Sequence, residues 1–362
     1  MRTFVKLATV ALLVATTGFS PSAPTAAAVQ DVTMLQSIGP LTFGPNDVLF
    51  AADTQGASIF ALELGAAAKS GAPGAKDIAQ IDQKIAALLG TDAAAIAVTD
   101  LAVHPTTKNA FIAVMRGQGA DAKPALVRVD GNGKLEAIDL AALKSTRAAL
   151  PNAPAATTAR RNPRAESITD MSFVNGKLIV AGLSNEEFAS KLRTIAYPFA
   201  SVEPGTSVEI YHGNHGQLET RSPVYAFVPY NVSGTPHLIA GYLCTPLVKF
   251  PVASLSGTQK VVGTTIAELG AGNRPIDMIV YKKDGREFLL MSNTSRGVMK
   301  IPTEGFGSAA PITSRIGGTA GIGYETIASM TGIEQMDLLD AQRSIVLARA
   351  SGALNLQAVP LP

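Results

Sequence analysis

An all-β fold built from repeats is what this sequence predicts, on three observations. Short apolar runs bounded by Gly, Pro, Asn or Asp recur along the chain, the signature of strands and turns. They recur in a fixed order, two apolar strands joined by a turn and then a third strand. Helical periodicity is confined to DIAQIDQKIAALLG, near residues 77–89, where Ile78, Ile81, Ile85 and Leu88 repeat at helical spacing.

The copies begin with IGPLTFGPNDVLFAADTQG at Ile38 and VTDLAVHPTTKNAFIAVMRG at Val98. ESITDMSFVNGKLIVAGLSN at Glu166 and RSPVYAFVPYNVSGTPHLIAGYLC at Arg221 follow. NRPIDMIVYKKDGREFLLMSN at Asn273 and GIEQMDLLDAQRSIVLARASG at Gly332 complete the set. The third strands are SIFALEL, ALVRVD, KLRTIAYPF, PLVKFPV, GVMKIPT and ALNLQAV. A more polar fourth strand follows several of them, as in KLEAIDL, TSVEIYHG and KVVGTTIAEL. Six four-stranded blades of about 55 residues account for residues 29–362 as one domain, a six-bladed β-propeller. The chain ends on the third strand of the sixth copy, so VTMLQSI, Val32 to Ile38, is expected to supply the fourth and close the ring. A seventh blade would have to lie in the insert near 144–164, which is rich in Ala and Pro and lacks alternation.

The N-terminus predicts export to the periplasm or the medium. Arg2 and Lys6 precede the apolar run LATVALLVATTGF, and Thr25 to Ala28 form a small-residue cleavage region, so residues 1–28 read as a signal peptide. Cleavage after Ala28 leaves about 334 of the 362 residues and takes the formal charge from +2 to 0. That balance argues against nucleic-acid binding. A second stretch of near 20 apolar residues does not occur, so no transmembrane span is expected, and the chain reads as a monomer. The single Cys244 cannot form an internal disulfide, so its alternatives are a buried small hydrophobe or a metal ligand.

This pattern of blades behind an export signal resembles the broad NHL, YVTN and SMP-30/gluconolactonase-like group of exported propellers, and most of all bacterial exported members. The resemblance covers the mature chain but specifies architecture more than chemistry. It implies that ligands bind where connections between second and third strands meet the entries to the first strands. His104 and His237 fall in first-to-second connections and so on the far face. His212 and His215, in YHGNHGQLETRSP, fall on the ligand-binding face, and so does Cys244.

Two imidazoles and a thiolate suit copper, zinc or iron, so His212, His215 and Cys244 form the candidate transition-metal set. Glu219 is available as a fourth ligand or as an acceptor behind the histidines. A solvated loop is the plainer reading of the same glycine-rich stretch.

A second set comes from aligning the first strands. Asp100, Asp170 and Asp277 share one slot, which Gln335, beside Glu334, fills in the sixth copy and Pro40 in the first. Converging carboxylates either share a hard cation such as calcium or raise one another's pKa and supply a general acid and base. Alternatively, each Asp accepts backbone hydrogen bonds and ties blades together. Glu166, Asp170 and Asp277 are the candidate catalytic residues, Glu166 foremost because it breaks the repeat.

The second-to-third connections add Asp53, Arg116, Asn185, Glu186, Asn293, Arg296 and Arg349 to that face. Asn185, Asn293 and Arg296 are candidate cofactor contacts. The resemblance implies a divalent ion held by carboxylates and Asn, a set that Glu166, Asn185 and Asp277 match in residue type. Arg160, Arg161 and Arg164 in the insert, with Arg116, Arg296 and Arg349, suit an anionic ligand instead.

Neither a G-x-S-x-G elbow, a phosphate-binding glycine loop, an H-E-x-x-H pair nor a C-x-x-C-H haem signal is present. The leading expectation is a periplasmic metal-binding propeller acting as a metal-dependent enzyme on a small molecule at its top face. The alternative is a non-enzymatic recognition or scaffold propeller that binds a protein or an anionic ligand there.

Overall fold

Six sheets, antiparallel but for one short parallel pairing in blade 3 and set as blades around an axis, make up the computed structural model, which describes residues 35–362 except 158–161 and 258. The expected signal peptide, Arg160 and Arg161 lie outside the described residues. Blade 1 contains Leu41–Phe43, Val48–Asp53, Ser58–Glu63 and Lys144–Ala149. Blade 2 contains Ile96–Val103, Ala110–Arg116, Lys123–Val129 and Leu135–Ile138. Blade 3 runs through Asp170–Val174, Lys177–Leu183, Ser190–Ala196, Thr206–His212 and Gln217–Glu219, and Val261–Val262 also pairs with it. Blade 4 is Ala226–Val232, Thr235–Gly241, Pro246–Pro251, Thr264–Leu269 and Thr319–Gly321. Blade 5 is Pro275–Lys283, Arg286–Asn293, Gly297–Pro302 and Glu325–Thr326, and blade 6 is Ile333–Leu338, Arg343–Ala350 and Ala353–Pro360.

Each blade packs both faces against neighbours, and six apolar clusters fill the six junctions. That double burial is why second strands read as unbroken apolar runs: every residue of Val48–Asp53 is buried. It also removes the alternation that a half-exposed strand would show.

The order around the axis differs from the order along the chain. First strands touch in the sequence blade 2, 1, 3, 4, 5, 6 and back to blade 2. The chain leaves blade 1 after its third strand, builds the whole of blade 2, and returns to lay Lys144–Ala149 along Ser58–Glu63. The insert near 144–164 therefore begins with a strand, and no seventh sheet occurs among the described residues.

Closure by an N-terminal strand is overturned. Among the described residues, none of the six sheets is closed by hydrogen bonds and blade 6 has three strands. Leu35 and Ile38 pack instead into the core between blades 1 and 2. The outer edge of blade 6 is covered by the segment leading into blade 2, where Ile78 and Leu356 exchange backbone hydrogen bonds of 2.8 and 3.0 Å. Asp77 and Asp82 accept the free amides of Ala358 and Leu354 at 2.7 and 3.1 Å. The helix Ile81–Leu89 buries Ile81 and Ile85 there, whereas Leu88 faces solvent. An edge covered this way presents no free ladder for another chain to extend.

The aspartates of the repeated slot tie blades to one another. Asp170 accepts its own neighbour's amide, Met171 N–H, at 2.7 Å and the Phe227 amide of blade 4 at 2.6 Å. Asp277 does the same with Met278 at 2.7 Å and Met336 of blade 6 at 2.8 Å. Asp100 accepts the Leu41 amide of blade 1 at 2.5 Å. In blade 6, Asp337, two residues past the slot filled by Gln335, takes the role, accepting Leu338 N–H and Val103 N–H, each at 2.7 Å. Strand bulges sit just ahead of the slot in blades 2, 5 and 6, which turns its side chain toward the next blade.

Candidate metal centre

The histidine loop is built by a tight hairpin at the outer rim of blade 3. Thr206–His212 ends at His212, and the chain returns as Gln217–Glu219 with His212 opposite Gln217 and Ile210 opposite Glu219. Gly216 amide hydrogen bonds to His212 O at 2.8 Å close the turn, and Gly216 has φ +71°, which glycine adopts without cost. Gly213 donates to Glu268 Oε1 at 2.5 Å, and a Cβ there would stand 3.0 Å from that oxygen. The turn brings the two imidazole rings to 3.9 Å between centroids.

Glu219 orients both rings. Its Oε2 lies 2.8 Å from His212 Nδ1 and its Oε1 lies 2.5 Å from His215 Nδ1. Burial alone would raise this carboxyl, but the hydrogen bonds to His212 and then His215 outweigh it and hold the pKa at about 2. A carboxylate only accepts, so each ring donates from Nδ1, and Nε2 is the ring atom left to meet a ligand. His212 Nε2 is buried and has no hydrogen-bond partner among the described residues. Glu268 Oε2 stands 4.0 Å from it, and burial pushes the Glu268 carboxyl up.

Cys244 completes the set from blade 4. One nitrogen from each histidine and the Cys244 Sγ all lie within 4.8 Å of one another, the one such group of three or more His, Cys, Asp or Glu among the described residues. Cys244 sits in a turn with φ +63°, and Thr245 follows at φ +55°, the left-handed region that side chains with a Cβ avoid. Among the bonds that hold the turn are Cys244 N–H to Asn273 O at 2.7 Å, Thr245 N–H to Tyr242 O at 2.8 Å, and Thr245 Oγ1 to Gly270 O at 2.9 Å.

His212 is buried, whereas the His215 side chain is about half exposed and opens on a surface pocket of about 390 Å³. Leu218 and Leu243 wall that pocket and are two of the four large hydrophobic side chains exposed among the described residues. The arrangement offers two imidazoles, one thiol and an open side. Glu219→Gln is expected to weaken metal affinity about 10- to 100-fold, because one amide oxygen cannot orient two imidazoles. Competition against a chromophoric chelator measures this.

The other expected site residues are scattered over separate places. Asp100, Asp170 and Asp277, joined by the unexpected Asp337, line a central channel of about 300 Å³ and are half-buried on its wall. Burial pushes Asp100, Asp170 and Asp277 well above the usual carboxylate range, with repulsion from neighbouring aspartates adding to it. Burial raises Asp337 to about 6. Glu166 stands apart at the channel mouth, in a pocket of about 440 Å³, where its Oε1 accepts the Tyr225 hydroxyl at 2.7 Å. The Arg274 guanidinium lies over the Tyr225 ring at 5.3 Å.

Asn185 lines a third pocket, so Glu166, Asn185 and Asp277 share no common cavity. Asn293 is buried and holds its loop together, accepting from Asn273 Nδ2 and donating to Met291 O, each at 3.0 Å. Arg296 reaches Ala271 O at 3.1 Å. Of the far-face histidines, His104 is buried, accepts the Thr106 and Thr107 amides, and lies 3.1 Å from Asp47. Its pKa is pushed down by burial.

Fold and site together define a six-bladed all-β propeller with a candidate His–His–Cys metal centre on its rim. No protein-family model matches the chain, and no curated protein matches it either. Among solved structures, a chain of the Mitotic Checkpoint Complex is similar at 11% identity, covering 97% of this chain and 99% of that one, with a TM-score of 0.37. The β-propeller domain of Myceliophteria thermophila Cps50 (Swd1) is similar at 12% identity, covering 89% and 83%, with a TM-score of 0.38. Extracellular domains 1–2 of Drosophila Semaphorin 1b are similar at 10% identity, covering 94% and 87%, with a TM-score of 0.37. Likeness this loose carries no argument about function, and the six-bladed arrangement rests on the strand pairing itself. Among the described residues no helix is long and apolar enough to cross a membrane.

Proposed function

We propose that this chain is a periplasmic or secreted propeller that binds one transition-metal ion, copper or zinc, through His212, His215 and Cys244. The observation that carries the reading is Glu219, which accepts from both Nδ1 atoms behind a group whose ring nitrogens and thiol lie within 4.8 Å of one another. Carboxylate-backed histidines are the usual second layer of a metal site. Imidazole and thiolate favour copper or zinc over calcium, which takes oxygen donors. Three protein donors leave one position to exchange, and the open pocket lets a small molecule reach it, as a metal-dependent enzyme requires. The leader sequence supports export.

A second reading, a recognition surface for a protein partner, is favoured by the exposed Leu218 and Leu243 beside the same site. Elemental analysis of the mature protein, purified without a histidine tag, tests the first reading. Copper or zinc near one equivalent is expected, with loss in the His212→Ala/His215→Ala double variant. Calcium retained in that variant and lost in Glu166→Gln would move the chemistry to the channel mouth. Absence of metal, with no rebinding of copper or zinc, would leave the recognition reading.

A further inference from the structure

Blades 1 and 3 bury two cations against one carboxylate. Lys191 and Arg193 lie two residues apart on the strand Ser190–Ala196 and so share a face. Both are almost fully buried, Arg193 at 1% exposure and Lys191 at 3%. Ile195, on the same face, belongs to the cluster formed with Ile59 and Ala148 of blade 1, so this face looks into that junction. Lys191 is satisfied: its Nζ pairs with the Glu186 carboxylate and donates to Ser207 Oγ at 2.8 Å. Arg193 is not. Its Nε, Nη1 and Nη2 all lack a hydrogen-bond partner among the described residues.

Blade 2 shows what this protein does when it buries a guanidinium on a third strand. Arg128, at 2% exposure, donates to Ala67 O at 2.5 Å, to Ser70 Oγ and to Glu136 Oε2 at 2.7 Å. At Arg193 the equivalent acceptors are missing. Glu186, already bound to Lys191, is the charge that opposes its desolvation, and burial nevertheless pulls the Arg193 pKa down to about 10. Gly205 backs the side chain so closely that a Cβ would stand 2.5 Å from Arg193 Cγ, so the guanidinium has little freedom to swing away. Across the junction, Thr146 lies on the same side of blade 1 as Ala148, and its buried hydroxyl also lacks a partner among the described residues. Donors without acceptors and one surplus positive charge call for an anion, because an uncompensated buried charge costs several kcal/mol.

We propose that the junction of blades 1 and 3 holds a small monovalent anion of the halide class on the Arg193 guanidinium. The anion supplies the acceptor that Glu136 supplies to Arg128, and it balances the second buried cation. It serves the packing of the two blades and is independent of the metal centre. A single charge matches the one surplus cation that Arg193 brings to the junction.

The test is thermal unfolding of the full mature protein in sodium bromide against sodium gluconate at equal ionic strength. Saturating bromide is expected to raise Tm by about 5 °C, and Arg193→Met is expected to abolish that dependence. A wild-type Tm indifferent to bromide, or an unchanged dependence in Arg193→Met, overturns the proposal. Should Arg193→Met fail to fold, anomalous scattering from bromide-soaked wild-type crystals decides. A bromide peak at the Arg193 guanidinium supports the anion, and water alone at that place overturns it.

Discussion

Cys244→Gly is expected to lower metal affinity by more than about a hundredfold while leaving thermal stability nearly unchanged. Loss of a direct ligand should exceed the 10- to 100-fold effect of losing a group behind the ligands. Stability should hold because Cys244 occupies φ +63°, a conformation that costs a residue with a Cβ about 1–2 kcal/mol and glycine little. The relief offsets the roughly 0.5–1 kcal/mol that glycine loses through the greater freedom of the unfolded chain. A cysteine serving only as a small hydrophobe would behave differently: its removal would lower Tm and leave metal content alone. Chelator competition and a melting curve on metal-free protein separate the two. Unchanged affinity in Cys244→Gly would remove the thiolate from the site.

Asp277→Ala is expected to destabilise the protein by about 2–4 kcal/mol, since it strips the acceptor from two amides, Met278 and Met336. The second of these amides belongs to blade 6, so the loss loosens a junction and not only a strand. The channel aspartates also set a pH dependence. Their folded pKa values are raised, so the folded state holds protons that the unfolded state releases. Their contribution is therefore complete below about pH 4 and declines as pH rises. For Asp337 the decline runs from about pH 4 through about pH 6. Asp337→Asn removes that ionisation, so the difference in unfolding free energy between wild type and variant should change across this window and be flat above it. Urea titrations at intervals from pH 4 to pH 8 measure the difference. A constant difference would mean that channel water keeps Asp337 at its ordinary pKa.

The strands and turns of this fold were legible because each is a local property. All six third strands stand where their β-branched runs place them, and the shared Asp slot points to the ties between blades. Partnership was not legible. Nothing local in KSTRAA says that it pairs with Ser58–Glu63 across an intervening blade, and with Lys144 on one face and Arg147 on the other it shows no apolar face. The expected N-terminal closure failed because the outer edge of blade 6 is occupied by Asp77, Ile78 and the helix after them, a partner more than 270 residues away in sequence. Asp337 escaped notice because Gln335 fills the aligned slot, and a shift of two residues keeps the side chain on the same face.

At the metal centre, the three candidate ligands and Glu219 were readable from residue type and blade topology. The division of labour was not: Glu219 binds both rings through Nδ1 and stands behind the site. Glu268 was missed, although a lone glutamate inside the apolar strand Thr264–Leu269 was a usable signal. Asp170 and Asp277 line one channel and tie blades together, whereas Glu166 lies in a separate pocket and bonds Tyr225 at the mouth.

X-ray absorption at the K edge of the bound metal, with copper or zinc restored to one equivalent, tests the central claim most directly. The proposed centre predicts one sulfur scatterer at about 2.3 Å and two imidazole nitrogens at about 2.0 Å, with the sulfur shell lost in Cys244→Gly. A shell of nitrogen and oxygen alone, unchanged by that substitution, would contradict a His–His–Cys centre.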